Sequence, residues 1–187
     1  SVSSPGYDPN IFSNDLEFNV WNNLKNNSRA PLLNRSMSGV YPPGSTIKMA
    51  VALAALENGI IDYKTKFYCD GAKKLGESTF HCWAKDGHGK LNLIEAIEQS
   101  CDVYFYELGL KVGIDKIALM MKRLGLGQYY NVEINSKSKG VVPNIEWKLK
   151  RDGLQWSMGE TLNASIGQGY LLTTPLQLTT MIARIAN

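Results

Sequence analysis

The chain has 187 residues, which is long enough for one domain with a sizeable hydrophobic core. With 44% hydrophobic and 20% charged residues it has an ordinary globular composition, which excludes a disordered, collagen-like or coiled-coil chain. The formal net charge of +3 is too small to predict binding to nucleic acid or to an anionic membrane, and no stretch approaches the roughly 18 consecutive apolar residues of a membrane span.

The first clear element along the chain is a helix that follows a turn-rich stretch. Residues 1–43 are rich in Ser, Pro, Gly and Asn, which predicts loops and short helical turns. Two prolines and a glycine then lead to Ser45. Residues 46–58 are good helix formers and almost all apolar, and Gly59 supplies a stop. Because a helix that is apolar on every face is usually buried, we expect this one at the centre of the domain.

The next part of the chain is predicted to be an irregular insertion followed by a well-marked helix start. Residues 61–90 are rich in Lys and Gly, and we expect no regular structure there. Asn92 with Glu95 three residues later is a capping-box pattern. It predicts a helix that runs to about Gln99.

Helices also dominate the rest of the chain. Two are predicted over residues 102–112 and 114–124, and a glycine follows each. Residues 128–170 are rich in Gly, Ser and Asn and are predicted to be loops. Thr174, a following proline and Gln177 have the order of residues expected at a helix start, so they predict a last helix. The pattern as a whole indicates a mostly helical protein with few strands.

Ser45 and Lys48 form an S-x-x-K motif at the head of the apolar helix. Side chains three apart lie on one face, so the amine can reach the hydroxyl. Serine needs a base to act as a nucleophile, and burial of a lysine favours the neutral amine that could be that base. The alternative is a serine that merely caps the helix. Ser136 and Lys139 repeat the spacing in a polar loop, where we do not expect catalysis.

A second motif, S-x-D, lies where two predicted helices meet. It consists of Ser100 and Asp102, with Cys101 between them. The Ser100 hydroxyl can pass a proton between a lysine and a leaving amine, and the Asp102 side chain can orient the lysine or a substrate amide. The alternative is that Asp102 only caps its helix and that Ser100 is incidental.

With these two motifs the chain resembles the transpeptidase domain of class B penicillin-binding proteins, and the penicillin-binding protein 2 family in particular. The resemblance covers nearly the whole chain and rests on the segments SSPGYDPN, YPPGSTIKM, GHGKLNLIEAIEQSCDVYFYELG and ASIGQGYLLTTPLQL. It implies an α+β fold of the penicillin-recognising, β-lactamase-like serine transpeptidases, mostly its helical part. It also implies that Ser45 is the acylated nucleophile, Lys48 the base, Ser100 the relay and Asp102 its partner.

The implied activity is peptidoglycan D,D-transpeptidation in bacterial cell elongation and cell shape. Ser45 would attack a stem peptide, release D-alanine and pass the acyl group to a neighbouring strand, and β-lactam antibiotics would acylate the same serine. The resemblance implies a place on the periplasmic face of the inner membrane and a membrane glycosyltransferase of the elongation machinery as partner, with no nucleic acid and no catalytic cofactor. Two alternatives stay open: a serine β-lactamase and a non-enzymatic β-lactam-sensing domain.

The third motif of this family, K-T-G or K-S-G, is absent from the sequence. Residues 64–66 and 137–139 both have Lys where the glycine must stand, and a side chain there would block close backbone approach. The chain also has no initiator Met, no signal peptide, and an apparent helix at its last residue. We therefore expect residues 1–187 to be part of a transpeptidase domain, without the N-terminal membrane anchor, the pedestal region and the C-terminal K-[ST]-G sheet. Such a fragment should be inactive or weak alone.

The cysteines point to a separate site. Cys69, Cys82 and Cys101 lie in the one stretch that also holds both histidines. With His88 they offer three thiolates and an imidazole, which is a closed ligand set for a structural zinc ion. His81 is the weaker histidine candidate. Buried free thiols, or one disulfide with a leftover thiol, remain as alternatives, since the implied compartment is oxidising.

Overall fold

The computed structural model describes residues 3–13, 15–130 and 138–187. Over these ranges the chain is mostly helical, with two small antiparallel sheets, which makes it α+β. Two 3₁₀ turns occur at Pro9–Phe12 and Gly44–Ile47. The α-helices are α1 (Phe18–Lys25), α2 (Arg35–Ser38), α3 (Lys48–Glu57), α4 (Leu93–Glu98), α5 (Asp102–Val112), α6 (Ile114–Arg123), α7 (Ile145–Asp152), α8 (Met158–Ser165) and α9 (Pro175–Ala186).

Helix α3 lies at the centre of the core, as predicted. Its alanines and Val51 are buried, and it packs against α5 and α6. Helix α5 fills the other side of the core with large side chains, among them Tyr104, Phe105 and Leu108. The small residues of α3 leave room for these large side chains, and the two helices that begin at Lys48 and Asp102 are thereby packed together.

The predicted helix starts are confirmed by their hydrogen bonds. The Asn92 side chain accepts from the Glu95 N–H, and the Glu95 carboxylate accepts from the Asn92 N–H. Thr174 and Gln177 form the same reciprocal pair at the start of α9. Each box satisfies backbone donors that a helix end would otherwise leave unpaired.

The expectation that residues 61–90 are irregular is wrong. They contain β1 (Phe67–Cys69), β2 (Ala72–Leu75), β3 (Ser78–His81) and, at their end, β4 (Gly89–Leu91). Strand β1 pairs with β4, and β2 pairs with β3, both antiparallel. These strands have only three or four residues and are half exposed, so they carry little hydrophobic pattern. Their pairing places Cys69 opposite Gly89, next to His88.

The expectation of loops over 128–170 is also wrong in part, because α7 and α8 lie there. Asn144 caps α7 at its start, and Gly153 ends it in the left-handed conformation. Ser157 and Glu160 form a capping box on α8. These are local helix signals that the high Gly, Ser and Asn content obscured. Among the described residues, none of the helices combines the length and hydrophobicity needed to cross a lipid bilayer.

Candidate active site

The structure brings the four residues of the S-x-x-K and S-x-D motifs together. Ser45 is exposed in the 3₁₀ turn that precedes α3, and Lys48 begins α3 itself with only 2% of its surface exposed. Ser100 and Asp102 come from the junction of α4 and α5. Because α3 and α5 are packed side by side, the two helix starts meet at one edge of the core.

A chain of hydrogen bonds links these residues. The Lys48 ammonium donates to the Ser100 carbonyl oxygen at 2.8 Å, to Ser100 Oγ at 3.1 Å and to Asp102 Oδ1 at 2.6 Å. Ser100 Oγ in turn lies 2.9 Å from Ser45 Oγ. The Lys48 amine therefore reaches the Ser45 hydroxyl through Ser100. The sequence argument for a neutral lysine did not include the Asp102 carboxylate, which gives the Lys48 ammonium a buried partner.

Ser100 has an unusual backbone conformation. Its φ is +52°, in the left-handed region that a residue with a side chain rarely occupies. Its carbonyl accepts bonds from Lys48 Nζ and from the Trp83 indole, and its N–H donates to Ile97. Such strain persists only where the surroundings hold it, and it is common at functional sites. Here it turns both the hydroxyl and the carbonyl of Ser100 towards Lys48.

Trp83 is a site residue whose role the sequence did not reveal. Its backbone N–H donates to Asp102 Oδ2 at 3.2 Å, and its indole N–H donates to Gln99 and Ser100 carbonyls at 3.1 and 3.2 Å. Its side chain is still 66% exposed. Nothing in the sequence marks a tryptophan that bonds a distant segment through its backbone.

Behind the S-x-D motif the structure brings the predicted metal ligands together. One ligand atom from each of Cys69, Cys82, His88 and Cys101 lies within 4.8 Å of all the others. The three cysteines are buried and unbridged, and His88 is half-buried. His81, the weaker candidate, lies outside this cluster and is exposed. The Cys101 sulfur also accepts the Tyr104 N–H at the start of α5, so one side chain belongs to both the cluster and the helix cap.

The geometry of the cluster fits a tetrahedral metal. Bonds of about 2.3 Å to sulfur and about 2.05 Å to nitrogen, at a tetrahedral angle, separate the two ligand atoms by roughly 3.6 Å. His88 Nδ1 lies 3.6 Å from both Cys69 Sγ and Cys82 Sγ. Burial raises the pKa of the Cys101 thiol well above its ordinary value, so without a cation this thiol stays protonated. The residues present can therefore hold a metal ion.

The other motif copies do not join the active site. Ser136 and Lys137 lie outside the described residues, so the second S-x-x-K copy is not visible as a unit. Lys139, which is described, has its carbonyl oxygen bonded by the side-chain NH₂ group of Gln177. In the 64–66 triplet, the Thr65 carbonyl accepts from Tyr104 in an exposed turn.

Comparisons with known proteins found relatives in both sequence and fold. The model of the penicillin binding protein transpeptidase domain matches residues 1–187. The peptidoglycan D,D-transpeptidase MrdA of Acinetobacter baumannii is 44% identical over 188 residues. That match covers all of this chain and only 28% of the relative, so the chain spans less than a third of the relative's length.

Three solved structures are similar in both fold and sequence. Pseudomonas aeruginosa PBP2, solved with WCK 5153, has a TM-score of 0.95 and 40% identity, over 100% of this chain and 41% of its own. Helicobacter pylori PBP2, in complex with MreC, has a TM-score of 0.91 and 40% identity. That match covers 97% of this chain and 35% of the Helicobacter pylori chain. Penicillin-binding protein A of Mycobacterium tuberculosis, as a penicillin G acyl-enzyme, has a TM-score of 0.87 and 28% identity. That match covers 100% of this chain and 42% of the Mycobacterium tuberculosis chain. The resemblance and the fold class expected from the sequence are thereby confirmed.

Proposed function

Because the chain belongs to the family of penicillin-binding protein transpeptidase domains, we propose that the protein is a peptidoglycan D,D-transpeptidase with Ser45 as its nucleophile. The observation that carries the proposal is the hydrogen-bonded chain from Lys48 through Ser100 to Ser45. The penicillin G acyl-enzyme of the related penicillin-binding protein A supports an acylation mechanism. Residues 1–187 lie within one transpeptidase domain of this protein.

The proposed reaction begins with a proton relay. Lys48 first loses one proton to water and becomes a neutral amine. Ser45 then gives its proton to Ser100 Oγ as it attacks the penultimate D-alanyl carbonyl, and Ser100 passes its own proton to that amine. The Asp102 carboxylate stabilises the ammonium that results, because it lies 2.6 Å away and is mostly shielded from water. The start of α3 behind Ser45 favours the developing oxyanion.

The second half of the reaction returns the proton. The Lys48 ammonium protonates the departing D-alanine amine through Ser100, and the acyl group stays on Ser45. An amine from a neighbouring stem peptide then attacks this ester. Its proton passes through Ser100 to the Lys48 amine, and Lys48 returns a proton through Ser100 to the departing Ser45 oxygen. A β-lactam acylates Ser45 by the same steps, but its leaving group remains tethered, which slows release.

A kinetic experiment on the full-length protein separates this function from its rivals. A fluorescent penicillin should label the protein with one equivalent and should be released slowly. The protein should also join donor and acceptor stem peptides into cross-linked peptide dimers. Rapid drug turnover would indicate a serine β-lactamase instead. A stable adduct without any cross-linked product would indicate a β-lactam sensor.

For the cluster behind the active site we propose one structural zinc ion bound by Cys69, Cys82, His88 and Cys101. Four protein ligands leave no open position for water, so the ion has no direct part in the reaction. It supports the S-x-D motif, since Cys101 lies between Ser100 and Asp102 and Cys82 precedes Trp83. His88 offers Nδ1 to the cluster, and its Nε2 is buried without a hydrogen-bond partner among the described residues.

Elemental analysis tests the zinc proposal directly. Protein purified without added metal should contain about one zinc per chain. Cys82→Ala should lose the metal and unfold at a lower temperature, whereas His81→Ala should keep it. Less than a tenth of an equivalent in the wild type, with the thiols free or in a disulfide, would contradict the proposal.

The proposed location is the periplasmic face of the inner membrane, with peptidoglycan stem peptides and β-lactams as ligands. We also propose a membrane glycosyltransferase of the elongation machinery as partner. The related PBP2 of Helicobacter pylori, which forms a complex with MreC, supports an assembly of this kind. Cross-linking of the full-length protein in cells, followed by identification of the attached glycosyltransferase, tests the partner.

A further inference from the structure

The position of Ser45 depends on contacts outside its own helix. The 3₁₀ turn that contains it begins after Pro43 without any side-chain cap. The segment that leads into the turn is instead bonded to residues that follow α8. Tyr41 and Thr173 exchange two backbone hydrogen bonds of 2.9 Å, and the Gly44 N–H donates to the Gly167 carbonyl at 3.0 Å. Three bonds thus connect residues 41–44 to residues 167–173.

One of these contacts joins two glycine backbones. Gly167 is buried, with φ at +76°, and its Cα lies directly against the peptide of Gly44. A methyl group on Gly167 would be 2.1 Å from the Gly44 oxygen and 2.6 Å from the Gly44 nitrogen. Backbone atoms cannot rotate out of the way as a side chain can. Any residue other than glycine at 167 therefore pushes the Gly44 peptide, and with it Ser45.

The same segment is also packed against the helix that carries the other half of the site. Helix α8 lies along α5, and Ser165 fits against Gly109 so closely that a methyl group on Gly109 would be 2.7 Å from the Ser165 Cβ. Helix α5 begins at Asp102, directly after Ser100 and Cys101. The end of α8 thus touches both the turn that holds Ser45 and the helix that follows Ser100.

We propose that Gly167 is a positioning residue for the nucleophile, which sets the 2.9 Å separation between Ser45 Oγ and Ser100 Oγ. This inference rests on the proposed function of Ser45. Gly167→Ala moves Ser45 relative to Ser100 without touching any group that transfers a proton. A misplacement of about 1 Å in a reacting group costs on the order of 10²-fold in rate.

The test uses Gly167→Ala in the full-length protein with two matched controls. Gly153 has φ of +69° and open space around it, so Gly153→Ala adds similar backbone strain at a remote site. Gly169 also has φ of +69° but faces the Asn163 Cβ at 3.3 Å, so Gly169→Ala strains the same loop without touching Gly44. Stopped-flow acylation by penicillin gives the non-covalent dissociation constant and the acylation rate constant separately.

We expect Gly167→Ala to lower the acylation rate constant about 10²-fold while the dissociation constant changes less than about threefold. Both controls should keep the rate constant within about threefold of the wild type. Three results for Gly167→Ala overturn the inference. They are an acylation rate constant equal to that of the controls, an effect confined to the dissociation constant, and a protein that does not fold. A wild type that is not acylated at Ser45 overturns the proposed function as well, so the two failures are distinguishable.

Discussion

Asp102→Asn tests the buried ion pair of the active site. The two carboxylate oxygens accept from different donors: Oδ1 from the Lys48 ammonium at 2.6 Å and Oδ2 from the Trp83 N–H at 3.2 Å. An asparagine has one oxygen and an NH₂ group. Whichever way its amide is turned, one of the two donors then faces another donor. The substitution keeps the shape of the side chain but leaves one partner without an acceptor.

The magnitude follows from burial, since the side chains of Lys48 and Asp102 are 3% and 14% exposed. Removing the charge opposite the buried Lys48 and leaving one donor without its acceptor costs about 1–3 kcal/mol. Asp102→Ala removes the counter-charge completely and should cost about 3–5 kcal/mol. For a domain of this size these losses lower the melting temperature by roughly 6 °C and roughly 12 °C.

Thermal unfolding of the full-length protein, followed by circular dichroism, measures both losses. Glu146→Gln is the control, because the Glu146–Lys150 pair has side chains 69% and 74% exposed and should contribute nothing measurable. The melting temperature of Asp102→Ala should be lower than that of Asp102→Asn, and Glu146→Gln should melt at the wild-type temperature. An Asp102→Asn protein that melts with the wild type would refute the dependence of Lys48 on this carboxylate.

Two further predictions concern stability. Partial burial raises the pKa of Glu160, but bonds from Lys148 and Ser157 outweigh it and hold the pKa below the ordinary value of 4.5. A lowered pKa in the folded state stabilises the protein above pH 4.5, and the stabilisation is lost as the pH falls through the lowered value. Acid unfolding profiles should therefore show a smaller loss below that pH in Glu160→Gln, and a profile identical to the wild type would contradict this. Burial raises the pKa of Tyr104 to about 12, and its hydroxyl donates to the Thr65 carbonyl at 2.9 Å. Tyr104→Phe should lower the unfolding free energy by about 1 kcal/mol in urea titrations, and an unchanged value would show that this hydrogen bond does not contribute.

The four catalytic candidates could be predicted because their chemistry is coupled to local helix signals. Ser45 and Lys48 begin an apolar helix, and Ser100 and Asp102 lie at a junction between two helices. The Cys/His cluster was predictable for a different reason: three cysteines and a histidine within one short stretch form a possible ligand set for a metal ion. In both cases the residue types restrict the geometry before the fold is known.

The missed features depend on backbone atoms that contact residues far away in the sequence. Trp83 bonds Asp102 through its N–H, and Gly167 touches Gly44 through its Cα, so no side-chain pattern announces either contact. The strands between residues 67 and 91 were missed for a similar reason. They are stabilised by pairing with partners up to 24 residues away, from Phe67 to Leu91, whereas the local sequence is rich in Lys and Gly.

The most direct test of the account is the site of acylation in the full-length protein. After treatment with penicillin and proteolysis, mass spectrometry should find one adduct, on the peptide that contains Ser45. The Ser45→Ala protein should carry none, although its melting temperature stays close to that of the wild type. An adduct on any other serine, or a label retained by Ser45→Ala, would contradict the assignment of Ser45 as the nucleophile.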